Sequence, residues 1–428
     1  MSDASTELPD LDDYRAQARA WLEANLERRD PDAPVRLRGT EHRTRETTKA
    51  EKAIQRRLYD GGYAGITVAK EHGGRGLTGA HARAFNEEAR GFRTPDFGVA
   101  GGTTFGVCLN TMLAHASPEF LTRHVPRILA GDELFVQFFS EPGAGSDLAG
   151  ITTKAERDGD RWILNGSKIW SSGANYADYG MCLTRTNWDV PKHRGLTWFA
   201  VKIEQPGVTV QPVREINGDA EFCQEFFDDV ELTADEIIGE VDQGWTVAQT
   251  MLVLERGASD GGGEREIPRG SGPRKLAPDL VALATSVGRE QDPYVRQLIA
   301  RAHVLDYVSG ELAARIGEHI RIGTANAMGI AAYGKLFQGT IHPLRARTAM
   351  EIGQGVALTW DEGDLAGMAP SLNYLNSRVI SIAGGTNEVQ RNGIGERVLG
   401  LPREPSFDTN RPFRDVVRDA ANWTGTTT

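Results

Sequence analysis

The chain has 428 residues, 39% of them hydrophobic and 25% charged, with a net charge of −11. This length predicts two or three domains with ample core, and the acidic balance argues against a broad nucleic-acid or anionic-membrane surface, though not against local basic pockets. No uninterrupted apolar run is long enough to span a bilayer. The acidic start, Met1 to Asp13, lacks the basic head and apolar middle of a secretion signal. Cys108, Cys182 and Cys223 are widely spaced, and the nine histidines form no ligand-spaced cluster. Free thiols in a reducing, cytoplasmic compartment are expected, with no disulfide framework and no metal site.

Taken in order, the first part reads as helical. Apolar residues recur at helical spacing over Leu11 to Leu26, and Lys49 to Leu58 continues in that style. Gly61-Gly62-Tyr63-Ala64-Gly65 breaks the helix, and Glu71-His72-Gly73-Gly74-Arg75-Gly76 is a glycine-rich loop. Ala80 to Gly91 and Asn110 to Leu129 are expected helices, with Ser117-Pro118-Glu119 a plausible start signal. From Phe135 the texture changes to strands. Arg161 to Leu164 lies between the turn pairs Asp158-Gly159 and Asn165-Gly166. Leu196 to Ile203, Gly207 to Pro212 and Phe222 to Leu232 add strands, so a compact β domain is expected rather than a parallel α/β sheet. No strand–GxGxxG–helix unit is present.

Gly244 opens a third region, again helical. Helices are expected over Trp245 to Gly257, Leu276 to Val287, Pro293 to Ile316, Ala325 to Gln338 and His342 to Ile352. Gly261 to Pro273 reads as a flexible, charged insertion. A closing segment, Ser377 to Leu401, precedes a tail with a short helix at Phe413 to Asn422. The expected domains are 1–132, 133–240 and 241–404, with 405–428 as tail.

The chain is organised around Gln137-Phe138-Phe139-Ser140-Glu141-Pro142-Gly143-Ala144-Gly145-Ser146-Asp147. An apolar run breaks into Pro-Gly-Ala-Gly, a turn able to bring backbone N–H groups and the Ser140 and Ser146 hydroxyls against a bulky ligand. Two further stretches stand out: Asn165-Gly166-Ser167-Lys168-Ile169-Trp170-Ser171-Ser172-Gly173, and Ala383-Gly384-Gly385-Thr386-Asn387-Glu388-Val389-Gln390-Arg391-Asn392. Each has an ordinary reading too. Trp170 could pack in a β core, and Thr386 could simply cap a helix.

Together, in this order, the three stretches resemble the acyl-CoA dehydrogenase family over about Gly61 to Glu404. The resemblance implies a mainly α fold with a central β domain: an N-terminal helical domain, a middle β-barrel-like domain and a C-terminal four-helix bundle. It implies FAD at their junction. Gln137, Phe139, Ser140, Ser146, Trp170, Ser172, Thr386, Asn387 and Glu388 are the flavin-binding residues it suggests. The implied reaction is α,β-dehydrogenation of an acyl-CoA, in which a base removes the α-proton and flavin N5 takes the β-hydride. An electron-transfer flavoprotein or similar acceptor, and assembly as a homo- or hetero-oligomer (dimer or tetramer), follow from the same resemblance.

Two departures matter. Well-studied relatives carry a catalytic glutamate immediately before the Gly-Thr pair, where this chain has Gly384. A second lineage, resembling isovaleryl- and long-chain acyl-CoA dehydrogenases, carries the base on the first helix of the C-terminal domain. The matching residue is Glu255, with Arg256 beside it where relatives contact substrate, the alternative for Arg256 being a pair with an acid. The alternative for Glu255 is a solvated, locally paired helix glutamate. The backbone N–H of Gly384 remains available to the thioester oxygen, and Ser146 also touches the thioester portion in relatives. The family's Arg-x-x-Phe-Gly motif for flavin phosphate is missing. Gly288-Arg289-Glu290-Gln291-Asp292-Pro293 stands there, with Arg289 a possible substitute. This altered segment and the Gly-rich insertion resemble relatives that act on bulky CoA esters, including steroid side chains, some of them heteromeric. Competing readings are a same-fold flavin oxidase or monooxygenase, and a non-catalytic subunit of a heteromeric enzyme.

Overall fold

A computed structural model describes residues 8–30, 43–258, 277–323, 327–361, 364–406 and 408–422. The N-terminal helices begin where short polar side chains satisfy their first N–H groups. The Asp10 carboxylate accepts from the N–H groups of Asp12 and Asp13 at the start of α1 (Leu11–Asn25), and Thr44 and Thr47 form a reciprocal cap on α2 (Arg45–Asp60). Tyr14, Ala18 and Leu22, four residues apart, bury one stripe of α1 against Ile54 and Leu58 of α2 and Phe85 of α3 (Gly79–Ala89).

Between α3 and the sheet, the helical path differs from the sequence expectation. A helix opens at α4 (Gly98–Gly101), widens into a π-helical turn at Gly102–Cys108, and continues as α5 (Leu109–His115). The expected run Asn110 to Leu129 is broken at Ala116, because Ser117 leaves helical geometry to cap α6 (Pro118–Leu129) through the Phe120 N–H. Lys52 Nζ reaches Asp178 at 2.6 Å and ties this helical layer to the β region.

The strands are β1 (Phe135–Phe138), β2 (Lys154–Asp158), β3 (Arg161–Ser172), β4 (Tyr179–Arg185), β5 (Leu196–Lys202), β6 (Val208–Pro212), β7 (Phe222–Thr233) and β8 (Ile237–Ile238). They form one sheet in the order β6-β7-β3-β2-β4-β5-β8, with β1 added parallel to β4. Most pairings are antiparallel. The long strands β3 and β7 alternate buried and exposed residues, and the inward set, including Trp162, Leu164, Cys223, Phe227, Val230 and Leu232, packs with Phe199 and Val201.

The C-terminal region holds α7 (Gly244–Ala258), α8 (Pro278–Ser286), α9 (Pro293–Arg321), α10 (Ala327–Gly353), α11 (Leu365–Asn376), α12 (Asn387–Gly393) and the tail helix α13 (Phe413–Ala421). Helix α7 docks on the sheet: Val247, Ala248 and Met251 join a core with Leu196 and Trp198, and Trp198 Nε1 donates to Gly244 O at 2.8 Å. The insertion Gly261 to Pro273 lies outside the described residues.

Two helices were expected across residues 325–352; instead α10 is continuous through Gly339 and Pro343. A proline inside a helix frees the carbonyl four residues earlier. Here that carbonyl, Gly339 O, accepts from Ser381 Oγ at 2.7 Å and Asn387 Nδ2 at 3.3 Å. The break is thus repaired by side chains of the closing segment. Helix α11 was not anticipated by periodicity either.

Candidate active site

The turn after β1 is built from its own backbone outward. Glu141 and Ala144 exchange N–H···O bonds of 3.0 Å in both directions, closing the loop over Pro142 and Gly143. Beneath it the Glu141 carboxylate accepts from Thr152 N and Thr153 N at 2.7 and 2.9 Å and from Lys168 Nζ at 2.9 Å. Burial pushes this carboxyl up, but the Lys168 cation and the surrounding donors outweigh it and hold the group below its ordinary value. Lys168 is fully buried and also donates to Phe139 O at 2.9 Å. Ser140 O accepts the Ile169 N–H at 2.9 Å, which fastens the turn to β3.

The outer face of the turn is open. A Cβ added to Gly143 or Gly145 would meet nothing within 4 Å, and Ser146 is exposed. Gln137 is half-buried, with its Nε2 enclosed and unpaired, while Phe139 packs edge-on against Trp198. Asp147 is gripped by Lys192 at 2.9 Å, and Lys192 also reaches Asp408 of the tail at 2.6 Å.

Trp170 sits on a bulge. The β3–β7 register shifts between Ile169 and Ser171, and Trp170 has a φ of 70°. The kink turns its ring outward: the residue is 55% exposed, with Phe222 edge-on at 5.8 Å. Exposure of so large an aromatic on a kinked strand suits a flat ligand better than core packing. Ser172 follows, half-buried. Ser171 points the other way and donates to Glu225 at 2.8 Å. Glu225 is fully buried opposite Lys168, its other oxygen lacks a partner, and burial raises its pKa to about 8.

The third wall is helical. Gly384 and Gly385 have φ values of 67° and 94°, a left-handed stretch that favours glycine. Thr386 then caps α12 through the Val389 N–H at 3.1 Å. Asn387 keeps an enclosed, unpaired Oδ1, and a Cβ on Gly339 would strike that oxygen at 2.2 Å, so glycine there permits the approach. Glu388 is exposed and pairs with Arg391 at 3.2 Å.

Glu255, half-buried on α7, comes to this same wall. A Cβ placed on Gly384 would lie 3.6 Å from Glu255 Oε1 and 3.3 Å from Lys335 Cε. The carboxylate also faces Cys108 of the π-helical turn, whose thiol is pushed up by burial and further by the Glu255 charge. Lys335, buried on α10, was not singled out by sequence; it also donates to Ile380 O. The Arg256 side chain lies outside the described residues.

The structure therefore gathers Glu255 and Gly384 at one point, and places the turn next to Trp170 through the Ser140–Ile169 bond. Arg289 is engaged by its own chain: it donates to Glu351 O and Ile352 O and pairs with Asp292. A cavity of about 430 Å³ is lined by Asn387, Arg347, Arg378 and Arg391 among others. Arg391 lies in the third stretch marked in the sequence, while no motif marked Arg347 or Arg378.

Three family descriptions match the chain: the acyl-CoA dehydrogenase N-terminal domain over residues 10–132, the middle domain over 137–230 and the C-terminal domain over 276–399. The acyl-CoA dehydrogenase IpdE1 of Mycobacterium tuberculosis is 36% identical over 403 residues, covering 93% of this chain and 99% of its own. The chain belongs to the acyl-CoA dehydrogenase family. This acyl-CoA dehydrogenase also resembles the solved Tcur3481-Tcur3483 steroid ACAD, at 26% identity and a TM-score of 0.71, covering 93% of this chain and 100% of that one. The ChsE4-ChsE5 complex from Mycobacterium tuberculosis, at 24% identity with a TM-score of 0.66 and coverage of 94% and 100%, shares the fold.

The expected three-domain architecture, helical at both ends with a central sheet domain, is the one observed. The protein is a flavin oxidoreductase of the FAD-binding kind. Its residues fit that cofactor: the unpaired Gln137 Nε2 and Asn387 Oδ1, the outward Trp170 ring and the uncrowded Gly143–Gly145 backbone all lie on the three stretches expected to hold it. Among the described residues, no helix is long and apolar enough to cross a membrane.

Proposed function

We propose that this acyl-CoA dehydrogenase converts an acyl-CoA thioester to the 2-enoyl-CoA, with Glu255 as the base that takes the α-proton. The observation that carries the reading is Glu255 Oε1 lying 3.6 Å from where a Gly384 side chain would begin. A base borne on α7 thereby reaches the point where a glutamate at position 384 would start. The Gly384 N–H donates to the thioester oxygen and stabilises the enolate-like charge. Bound FAD supplies the acceptor for the β-hydride. Gln137, Phe139, Ser140, Ser146, Trp170, Ser172, Thr386, Asn387 and Glu388 hold the cofactor. Ser146 and Arg256 contact the CoA ester. The segment 133–240 serves as the flavin-facing domain between helical domains 1–132 and 241–404.

The substrate is a bulky acyl-CoA, supported by the likeness to an enzyme named as a steroid ACAD. A partner subunit, identical or different, covers the exposed apolar residues Val304, Tyr307 and Val308, which share one face of α9. Electrons leave through an electron-transfer flavoprotein or a similar acceptor, in a cytoplasmic setting consistent with three buried free thiols.

Anaerobic titration of the purified protein with octanoyl-CoA, palmitoyl-CoA and a cholanoyl-CoA, followed by flavin absorbance and repeated on Glu255→Gln, tests this. Bleaching in the wild type that the Gln variant lacks, with flavin retained, is expected. Equal bleaching in both rejects Glu255 as base. Protein that takes up no flavin favours a non-catalytic partner subunit, and stoichiometric oxygen consumption favours an oxidase.

A further inference from the structure

Lys335 is out of place by ordinary standards. A lysine ammonium is rarely buried without a purpose or a partner, yet Lys335 is only 7% exposed. Its Nζ donates to Ile380 O, at the start of the backbone that leads to Gly384. Its Cε and Glu255 Oε1 approach one common point, the Cβ position that Gly384 lacks. Three elements thus converge there: α7 with a carboxylate, α10 with a cation, and the closing segment with a bare backbone.

We propose that Lys335 is a positioning residue for the base: its ammonium keeps Glu255 ionised and oriented, and its bond to Ile380 O steadies the backbone that presents the Gly384 N–H. The inference rests on Glu255 being the base. Burial alone favours the protonated carboxyl, which cannot accept a proton, and a nearby cation reverses that preference. Among the described residues, Cys108 from the π-helical turn, kept neutral by burial, lies within reach of the Glu255 charge, and Lys335 from α10 shares with Glu255 the space beside the Gly384 backbone. His342, further along α10, senses Lys335 as well and is held low chiefly by burial. Lys335 is thus a cation placed to oppose burial at this carboxylate.

The test is the pH dependence of flavin bleaching under anaerobic rapid mixing. It uses the FAD-loaded wild type, Lys335→Met, Lys335→Gln, Lys335→Arg and Glu255→Gln, and whichever of octanoyl-, palmitoyl- or cholanoyl-CoA bleaches the wild type fastest. An ionised base gives a rate that rises with pH through its pKa. Removing the cation raises that pKa, so the acidic limb of the Met and Gln variants moves up by about one unit or more. On that limb their rate falls about tenfold for each unit the limb moves, and the loss is largely recovered above it. Lys335→Arg keeps the limb within a few tenths of a unit. A limb that stays put, with a loss uniform in pH, overturns the proposal and leaves Lys335 a packing residue. Lys335→Gln retains a neutral donor toward Ile380 O, so it decides the matter if the Met variant loses FAD. Glu255→Gln that bleaches like wild type rejects the base itself, whatever the Lys335 variants do.

Discussion

The two walls of the site handle charge in different ways. In the β wall, Lys168 and Glu141 are sealed beneath the turn, at 0% and 6% side-chain exposure. In the helical wall, Glu255 and Lys335 each approach the Cβ position that Gly384 leaves empty. The first arrangement makes a rigid floor, because every polar atom of the Glu141–Lys168 pair is held by backbone or by its partner. The second leaves a carboxylate only half-buried, which a base requires, since it must reach a substrate proton. Paired charge is enclosed support in the β wall, whereas in the helical wall the charged groups border the space beside Gly384, and the difference lies in what the charge faces.

The contrast can be broken most directly at Glu255. Glu255→Gln should lower the rate of flavin bleaching by ~10³-fold, with FAD content and melting temperature unchanged. A large loss of stability would move Glu255 to the structural side of the comparison. The converse change is Lys168→Met, which strands the Glu141 carboxylate under the turn. It should cost about 3 kcal/mol of stability, seen in denaturant unfolding together with weaker FAD retention. Loss of activity without loss of stability would erase the distinction between the walls.

Trp170→Ala sharpens the comparison more gently. Removing the outward ring should weaken FAD binding by about tenfold, measured by fluorescence of released flavin, and should leave folding intact because the side chain is mostly exposed.

A further effect, visible only through its pH dependence, concerns Glu225, whose pKa is raised from 4.5 to about 8 by burial. A raised folded value means that its contribution is fully present below pH 4.5 and is lost as pH rises toward 8. Glu225→Gln removes that loss. The variant should match wild type near pH 4.5 and be more stable by about 3–5 kcal/mol at pH 8, read as a melting temperature whose advantage grows with pH. A pH-independent difference would show that the carboxyl does not titrate in the folded protein.

Much of this was legible in one dimension, for a physical reason. The flavin turn, the Trp170 strand and the Gly384 segment are each continuous, so the residues that act together are also neighbours in the chain. Short strands set between turn signals, and helical spacing on α1 and α9, carried the fold class, although β3 runs on through the expected Asn165-Gly166 turn. What escaped was long-range. A break was expected between Gln338 and His342, yet α10 runs through it, and Ser381 and Asn387 satisfy the carbonyl that Pro343 frees. The π-helical turn over Gly102–Cys108, rich in glycine and threonine, carried no clear helical stripe and is held by packing against β1 and α7. The expected Arg289 role also met an obstacle visible only in three dimensions, since its guanidinium is occupied by carbonyls at the end of α10.

Sequence alone determined the three-region order, the glycine-rich turn and the substitution of Gly384 for an acid, because these depend on local backbone freedom and side-chain identity. Only the tertiary structure decided that Glu255 reaches the place beside Gly384, and that a buried lysine waits there with it. Position across a junction of three elements depends on how their surfaces pack, and no short stretch of chain encodes it.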